Sequence, residues 1–181
     1  MITLISGKPN SGKSLRAEEL AISCGGPLIY LATMKVMDEE GRIRVRKHRM
    51  QREGKGFITI EHPYALRDAL GKIEEAAGYG DGAADTPRKY PLKATVLLEC
   101  VANLVGNELY DNPARPWHGA PQDADPNEFV STVIEDIRCL SDHVSDLIAV
   151  TSEYDPYEGA DPATLRYIEI LNKVNLKLLT Y

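Results

Sequence analysis

The chain lacks the features of a membrane, secreted or nucleic-acid-coating protein. Its 181 residues hold no uninterrupted apolar run near the roughly 18 residues of a membrane helix. No basic segment precedes an apolar stretch at the N-terminus, as a signal peptide requires. Both absences point to the cytoplasm and to no membrane span. The only cysteines, Cys24, Cys100 and Cys139, are odd in number and far apart. That excludes a disulfide framework and zinc-knuckle spacing, and makes buried free thiols the expectation. A net charge of −6 argues against nucleic acid as a partner of the whole surface, so any basic site must be local. Internal repeats are absent too. What remains, 181 residues with 43% hydrophobic content, suffices for one well-buried domain over residues 1–181.

What is present begins almost at once. Gly7-Lys8-Pro9-Asn10-Ser11-Gly12-Lys13-Ser14 fills the pattern G-x-x-x-x-G-K-[ST]. In that pattern the glycines let successive backbone N–H groups turn inward around an anion, the lysine reaches the outer phosphates, and the hydroxyl helps hold Mg²⁺. A chance match in such a chain is an event on the order of 1%. The apolar Ile2-Thr3-Leu4-Ile5 before it reads as a buried parallel strand, and Leu15 to Ile22 after it as a helix packing through Leu15, Leu20 and Ile22. Strand, loop and helix thus follow in the order that aims the helix N-terminus at a phosphate.

Further along, Leu28–Thr33 reads as a second buried strand, and Asp38–Glu53 as a charged helix. Phe57–Glu61 is a short strand stopped by Pro63, and Tyr64–Ala77 has helical spacing through Leu66, Ala69, Leu70 and Ile73. Residues Gly78 to Lys89, with three glycines and a proline, form a surface loop. The run Ala94–Cys100 is a strand and Val101–Tyr110 a helix. Four prolines in Asp111–Pro126 rule out a helix or central strand there. Helix Asn127–His143, strand Asp146–Thr151, an acidic loop and helix Ala163–Leu179 complete the chain. Alternating strands and helices indicate an α/β fold with a mostly parallel central sheet, ligands binding at the strands' carboxyl ends.

Two features extend the phosphate loop. Glu99 ends a buried run, where its carboxylate reads either as an Mg²⁺ partner or as an ordinary solvated strand-end acid. Arg44, His48 and Arg52 fall at i, i+4 and i+8, along one helix face. Like charges so spaced repel, which an arriving triphosphate would relieve. Arginines also bias a histidine toward its neutral form, whose lone pair can attack phosphorus. Without other information, a solvated basic face with an incidental histidine remains the alternative.

Together GKPNSGKSLRAEELA, LIYLATM, RVRKHRMQR with FITIEHP, VLLECVANLVGNELY, and VTSE followed by NKVNLKL resemble, in order over nearly the whole chain, the bifunctional adenosylcobinamide kinase/adenosylcobinamide-phosphate guanylyltransferases of cobalamin biosynthesis. The resemblance implies a P-loop, RecA-like fold, a homotrimer, and two reactions. A nucleoside triphosphate, ATP or GTP, phosphorylates the aminopropanol arm of the corrinoid. GTP then gives GMP to an enzyme histidine, and the corrinoid phosphate takes it up. His48 matches that histidine, Glu61 in Thr59-Ile60-Glu61 a position associated with the nucleotide base or ribose, Glu99 the strand-end acid, and Asn107 the asparagine of the next helix. On this reading Gly7 to Ser14 hold the phosphates with Lys13 catalytic, Ser14 and Glu99 hold Mg²⁺, and Arg44 and Arg49 offset charge growing on the α-phosphate.

The chain departs from the family pattern in two places. Where relatives carry N-E-V-G-x-G-x-x-P, Ser152-Glu153-Tyr154-Asp155-Pro156 keeps the glutamate alone, and Asn172-Lys173-Val174-Asn175-Leu176 keeps only Asn175 of G-x-x-N-Q. Relatives continue with another strand past the position of Tyr181, so either a sheet edge is unfilled or the chain is shortened. Two other classes share these residues: a P-loop kinase of another small alcohol, with His48 a phosphate contact, and a GTP-binding regulator without turnover.

Overall fold

The computed structural model describes residues 2–79 and 91–181. Five strands, β1 (Ile2–Ile5), β2 (Leu28–Ala32), β3 (Phe57–Glu61), β4 (Leu92–Glu99) and β5 (Val144–Val150), form one sheet. Every pairing is parallel, in the order β1-β5-β4-β2-β3. The apolar runs read as strands are therefore strands, and each crossover is filled by helix, as parallel pairing requires. The described part of the expected 78–89 loop is Gly78 and Tyr79; the rest lies outside the described residues. No helix among the described residues is long and apolar enough to cross a membrane.

Alternation along the strands sorts side chains onto two faces. Ile29, Leu31, Val96, Leu98, Leu147 and Ala149 meet the large core under α4 (Val101–Tyr110), α5 (Pro126–His143) and α6 (Pro162–Leu178). Tyr30, Leu97, Ile148 and Val150 meet Ala17 and Ala21 of α1 (Lys13–Cys24). Of the expected α1 packing residues Leu15, Leu20 and Ile22, Leu20 packs against this cluster, whereas Leu15 and Ile22 are 47% and 43% exposed and Ala17, Glu18 and Ala21 are buried instead. Small side chains let this helix lie close on β4 and β5, which holds the phosphate loop tightly against the sheet.

Helix starts follow local chemistry. Asp125 and Asp161 cap α5 and α6 by accepting backbone N–H bonds, with Pro126 and Pro162 at the first helical position, one residue before the expected starts. The expected Tyr64–Ala77 helix instead begins as a 3₁₀ turn (Leu66–Ala69) that runs into α3 (Leu70–Ala76), because Ala65 adopts a left-handed φ of 53°. The Ala65 N–H donates to Glu108 Oε1 at 2.7 Å.

Glu108 also anchors the proline-rich stretch. Arg115 bridges it (2.6 Å) to Asp136 (2.7 Å), and Trp117 donates from its indole to the Glu108 carbonyl (2.9 Å) while packing on Phe129. Trp117 is thus a buried loop anchor. The thiols correct a second expectation: Cys24 is exposed, lying at the end of α1, and Cys100 and Cys139 are half-buried, although all three are free.

Candidate active site

The strands end level with one another. Ile5, Val150, Glu99, Ala32 and Glu61 are registered neighbours across the sheet, so the following loops open on one edge. There lies a cavity of about 1020 Å³. It brings together Pro9, Asn10, Ser11, Gly12, Lys13, Ser14, Arg44, His48, Arg49, Glu61 and Glu99 from four separate segments. Gly7 and Lys8 do not line it. The Gly7 carbonyl instead accepts from the Glu153 N–H (3.2 Å), and Lys8 sits 3.6 Å from Asp155 in an exposed ion pair.

Gly12, at φ 83°, is the N-cap of α1, a conformation that side-chain-bearing residues rarely adopt. The first turn of α1 carries neither an acidic residue nor a side-chain cap, so its free N–H groups and dipole are unopposed and suit an anion. Lys13 folds back to donate to the Lys8 carbonyl at 3.0 Å. A phosphate oxygen is a stronger acceptor than that neutral carbonyl, so the ammonium is held near the loop by a bond it can exchange.

Glu99 stands at the end of β4. Its Oε1 accepts from the Ser14 hydroxyl at 2.8 Å, and its Oε2 is buried with no hydrogen-bond partner among the described residues. Burial pushes its carboxyl up to about 7, against the opposing pull of the Ser14 bond and the Lys13 charge. A hydroxyl and a carboxylate with a spare buried oxygen are hard donors that suit Mg²⁺, which keeps several waters and draws other ligands from substrate phosphates. Among the described residues no three His, Cys, Asp or Glu form a metal cluster.

The turn beneath Glu99 is clamped from β2. Buried Thr33 donates its hydroxyl to the Cys100 carbonyl and accepts from the Cys100 N–H, both at 2.8 Å. Asn107 straps the same turn by donating to the carbonyls of Thr33 (2.7 Å) and Pro63 (2.9 Å), a scaffold role in this structure. Asn175 does likewise behind β5, accepting from Thr151 (2.7 Å) and donating to the Ser152 carbonyl (3.1 Å). Thr33→Val keeps the shape but strands the Cys100 N–H, while the Cys100 carbonyl still accepts from the Leu104 N–H at 3.0 Å. It should lower stability by about 1–3 kcal/mol, read as an earlier urea midpoint at unchanged slope.

His48 comes from α2 (Glu39–Arg52), capped by the Asp38 side chain. The ring is half-buried and its Nδ1 has no hydrogen-bond partner among the described residues. Burial, then the positive charges of Arg52, Lys47 and Arg44, hold its pKa below the ordinary value, with Glu18 opposing. Arg44 pairs with Glu40 (2.8 Å) and Arg49 with Glu61, so these two cavity arginines already have carboxylates.

Reasoning from the sequence missed Glu18 and Lys55. Glu18, fully buried on α1, takes Lys55 Nζ at 2.7 Å and Gln51 at 3.5 Å, tying the helix of the phosphate loop to the end of the helix that carries His48. A lone glutamate on an amphipathic helix gives no local signal of burial, because its partner is 37 residues away.

The family model for cobinamide kinase / cobinamide phosphate guanyltransferase matches residues 3–180. The bifunctional adenosylcobalamin biosynthesis protein CobU of Escherichia coli (strain K12) is 30% identical over 149 residues, 82% of this chain and 67% of that protein. The bifunctional adenosylcobalamin biosynthesis protein CobP of Pseudomonas aeruginosa (strain PAO1) is 32% identical over 117 residues, 59% of this chain and 67% of that protein. A phosphate loop, a strand-end glutamate and a histidine-bearing helix facing one cavity, with a match spanning nearly every residue, place the chain in the cobinamide kinase / cobinamide phosphate guanyltransferase family of enzymes.

Proposed function

We propose that the protein phosphorylates the aminopropanol hydroxyl of adenosylcobinamide with ATP or GTP, and then transfers GMP from GTP to adenosylcobinamide phosphate through His48. The observation that carries this reading is the convergence of His48 and the loop residues Pro9–Ser14 on one cavity. In the kinase step the loop's N–H groups and Lys13 hold the triphosphate, and phosphoryl transfer needs chiefly positioning and charge neutralisation. Ser14 and Glu99 would hold Mg²⁺, which would supply charge neutralisation at the phosphates. In the guanylyl step the free lone pair of the His48 ring forms an N–P bond. The bond from the α-phosphorus to the bridging oxygen breaks, and its electron pair leaves on pyrophosphate. The corrinoid phosphate then attacks the same phosphorus, and the N–P pair returns to the ring. Met34, Val36, Ile43 and Leu15 give the cavity an apolar rim that suits a large substrate. The family resemblance supports a homotrimer acting in the cytoplasm.

Incubation with α-labelled GTP tests the proposal. The expected result is an acid-labile, base-stable adduct mapping to His48, discharged to adenosylcobinamide-GDP when the corrinoid phosphate is added. Binding of GTP without adduct or product would identify a regulator instead.

A pH dependence follows from the ring's environment. Protonation consumes the attacking lone pair, and the surroundings of His48 hold its pKa below that of a free histidine, about 6.5. The single-turnover rate of adduct formation should therefore be flat above neutrality and fall on acidification, with its midpoint below that of free histidine. A rate that rises on acidification would contradict the neutral-ring mechanism.

A further inference from the structure

The helix that carries His48 also carries a guanidinium two of whose nitrogens have no acceptor among the described residues. Arg52, one turn further on, is 7% exposed, and its Nε and Nη1 are buried without a hydrogen-bond partner among the described residues. Its carbon centre lies 3.3 Å from the centroid of the Tyr30 ring. The ring supports the face of the guanidinium but cannot satisfy donors at its edge. Buried arginines ordinarily meet a carboxylate or carbonyl, and the other two arginines of α2 that line the cavity, Arg44 and Arg49, do so. Glu18, the buried acid on the facing helix, is engaged by Lys55 and Gln51. Arg52 nevertheless shares the cavity lining with His48, Lys13 and Ser14.

A charged fork held in place by an aromatic ring, with two donors free beside a nucleophile, is arranged for an oxyanion that arrives with the substrate. Its Cβ lies roughly 6 Å from that of His48, from helix geometry. We propose that Arg52 is a catalytic residue of guanylyl transfer, its Nε–H and Nη1–H donating to the non-bridging oxygens of the α-phosphoryl group as that group passes to His48. This rests on the His48 reading above. Arg52 transfers no proton: the N–P bond forms from the ring's lone pair, the electron pair of the broken P–O bond leaves with pyrophosphate, and the guanidinium stays charged throughout. Its contribution is to meet charge where it grows, a role that Arg44 and Arg49 fill less well from their exposed pairings with Glu40 and Glu61.

The test compares wild type, Arg52→Gln, Arg52→Lys and Arg52→Ala in single-turnover adduct formation from α-labelled GTP. GTP binding is read in parallel with a fluorescent GTP analogue, and folding by thermal melting. Arg52→Gln should slow adduct formation about 10²-fold or more at saturating GTP. Arg52→Lys should recover only part, since an ammonium lacks the fork. Guanidinium ion added to Arg52→Ala should restore part of the rate. Discrimination between the two α-thio diastereomers of GTP should shrink in Arg52→Gln, a readout that a purely structural role would leave unmoved. An unchanged adduct rate in Arg52→Gln overturns the proposal while leaving the His48 reading standing. A slowed rate with unaltered thio discrimination and no guanidinium rescue assigns Arg52 to scaffolding and overturns it equally. Absence of adduct from the wild type overturns both readings together.

Discussion

His48→Ala should still bind a nucleoside triphosphate but take up no GMP covalently, with adduct formation falling by about 10³-fold or more, the scale on which loss of a nucleophile acts. Binding should survive because the Gly7–Ser14 loop and the first turn of α1 meet the phosphates independently of α2. The fold should survive as well. The His48 ring is half-buried with its Nδ1 unpartnered, so truncation strands no buried donor or acceptor that depends on that nitrogen. Labelled GTP read on a gel, together with equilibrium binding of a fluorescent analogue, separates the two effects. An equal adduct in the variant and the wild type would remove the covalent step from the mechanism and leave His48 a phosphate contact. Phosphorylation of adenosylcobinamide by the variant, measured in the same preparation, reports whether the kinase half is independent of the ring.

Lys13→Ala should damage both reactions. With the ammonium gone, neither the ground-state triphosphate nor the charge building on its outer phosphates is neutralised, and a loss of about 10²–10³-fold in each step is the scale for removing one such donor. Weaker triphosphate binding should accompany it. Stability should barely change, because among the described residues the Lys13 ammonium donates to the exposed Lys8 carbonyl alone, which water can satisfy. Losing only one of the two reactions would mean that they use different triphosphate sites. Isothermal titration with GTP, alongside phosphorylation and adduct assays, distinguishes these outcomes. The pair of variants therefore divides the cavity into a phosphate-holding half, shared by both steps, and an acceptor half needed for one.

Much of this arrangement was legible before any coordinates. Parallel strands covered on both faces, such as β2 and β4, announce themselves as continuous apolar runs, the edge strand β3 shows alternation instead, and all five expected strands match the structure within two residues at either end. Asp-Pro pairs mark the starts of α5 and α6 because a side-chain cap and a proline at the first position are local chemistry. The phosphate loop is legible for the same reason: seven consecutive peptide units make it, and spacing alone implies the backbone turn.

Other features depend on partners distant in the chain. The face that α1 buries was misjudged because periodicity favoured its large residues, whereas close approach to the sheet selects Ala17 and Ala21. The Cys24 thiol is exposed because it falls at a helix end, although its residue type favours burial. For the proline-rich stretch between α4 and α5 the prolines exclude a helix or central strand but give no partners, and the structure fixes it through Arg115 and Trp117 on Glu108 and Asp136.

Residue order was therefore enough for the class of fold, the anion-binding loop and the likeness to a nucleotide-transferring family, since all of these are written in neighbouring residues and their periodicities. It left open whether a basic helix face meets solvent or substrate. In the folded chain that face lines the cavity: five parallel strands ending level bring α2 beside the phosphate loop, with Arg44 and Arg49 paired and Arg52 inward against Tyr30. Spacing along one helix defines a face, but only the packing of other elements against it sets which charges lose their water and are left needing an anion.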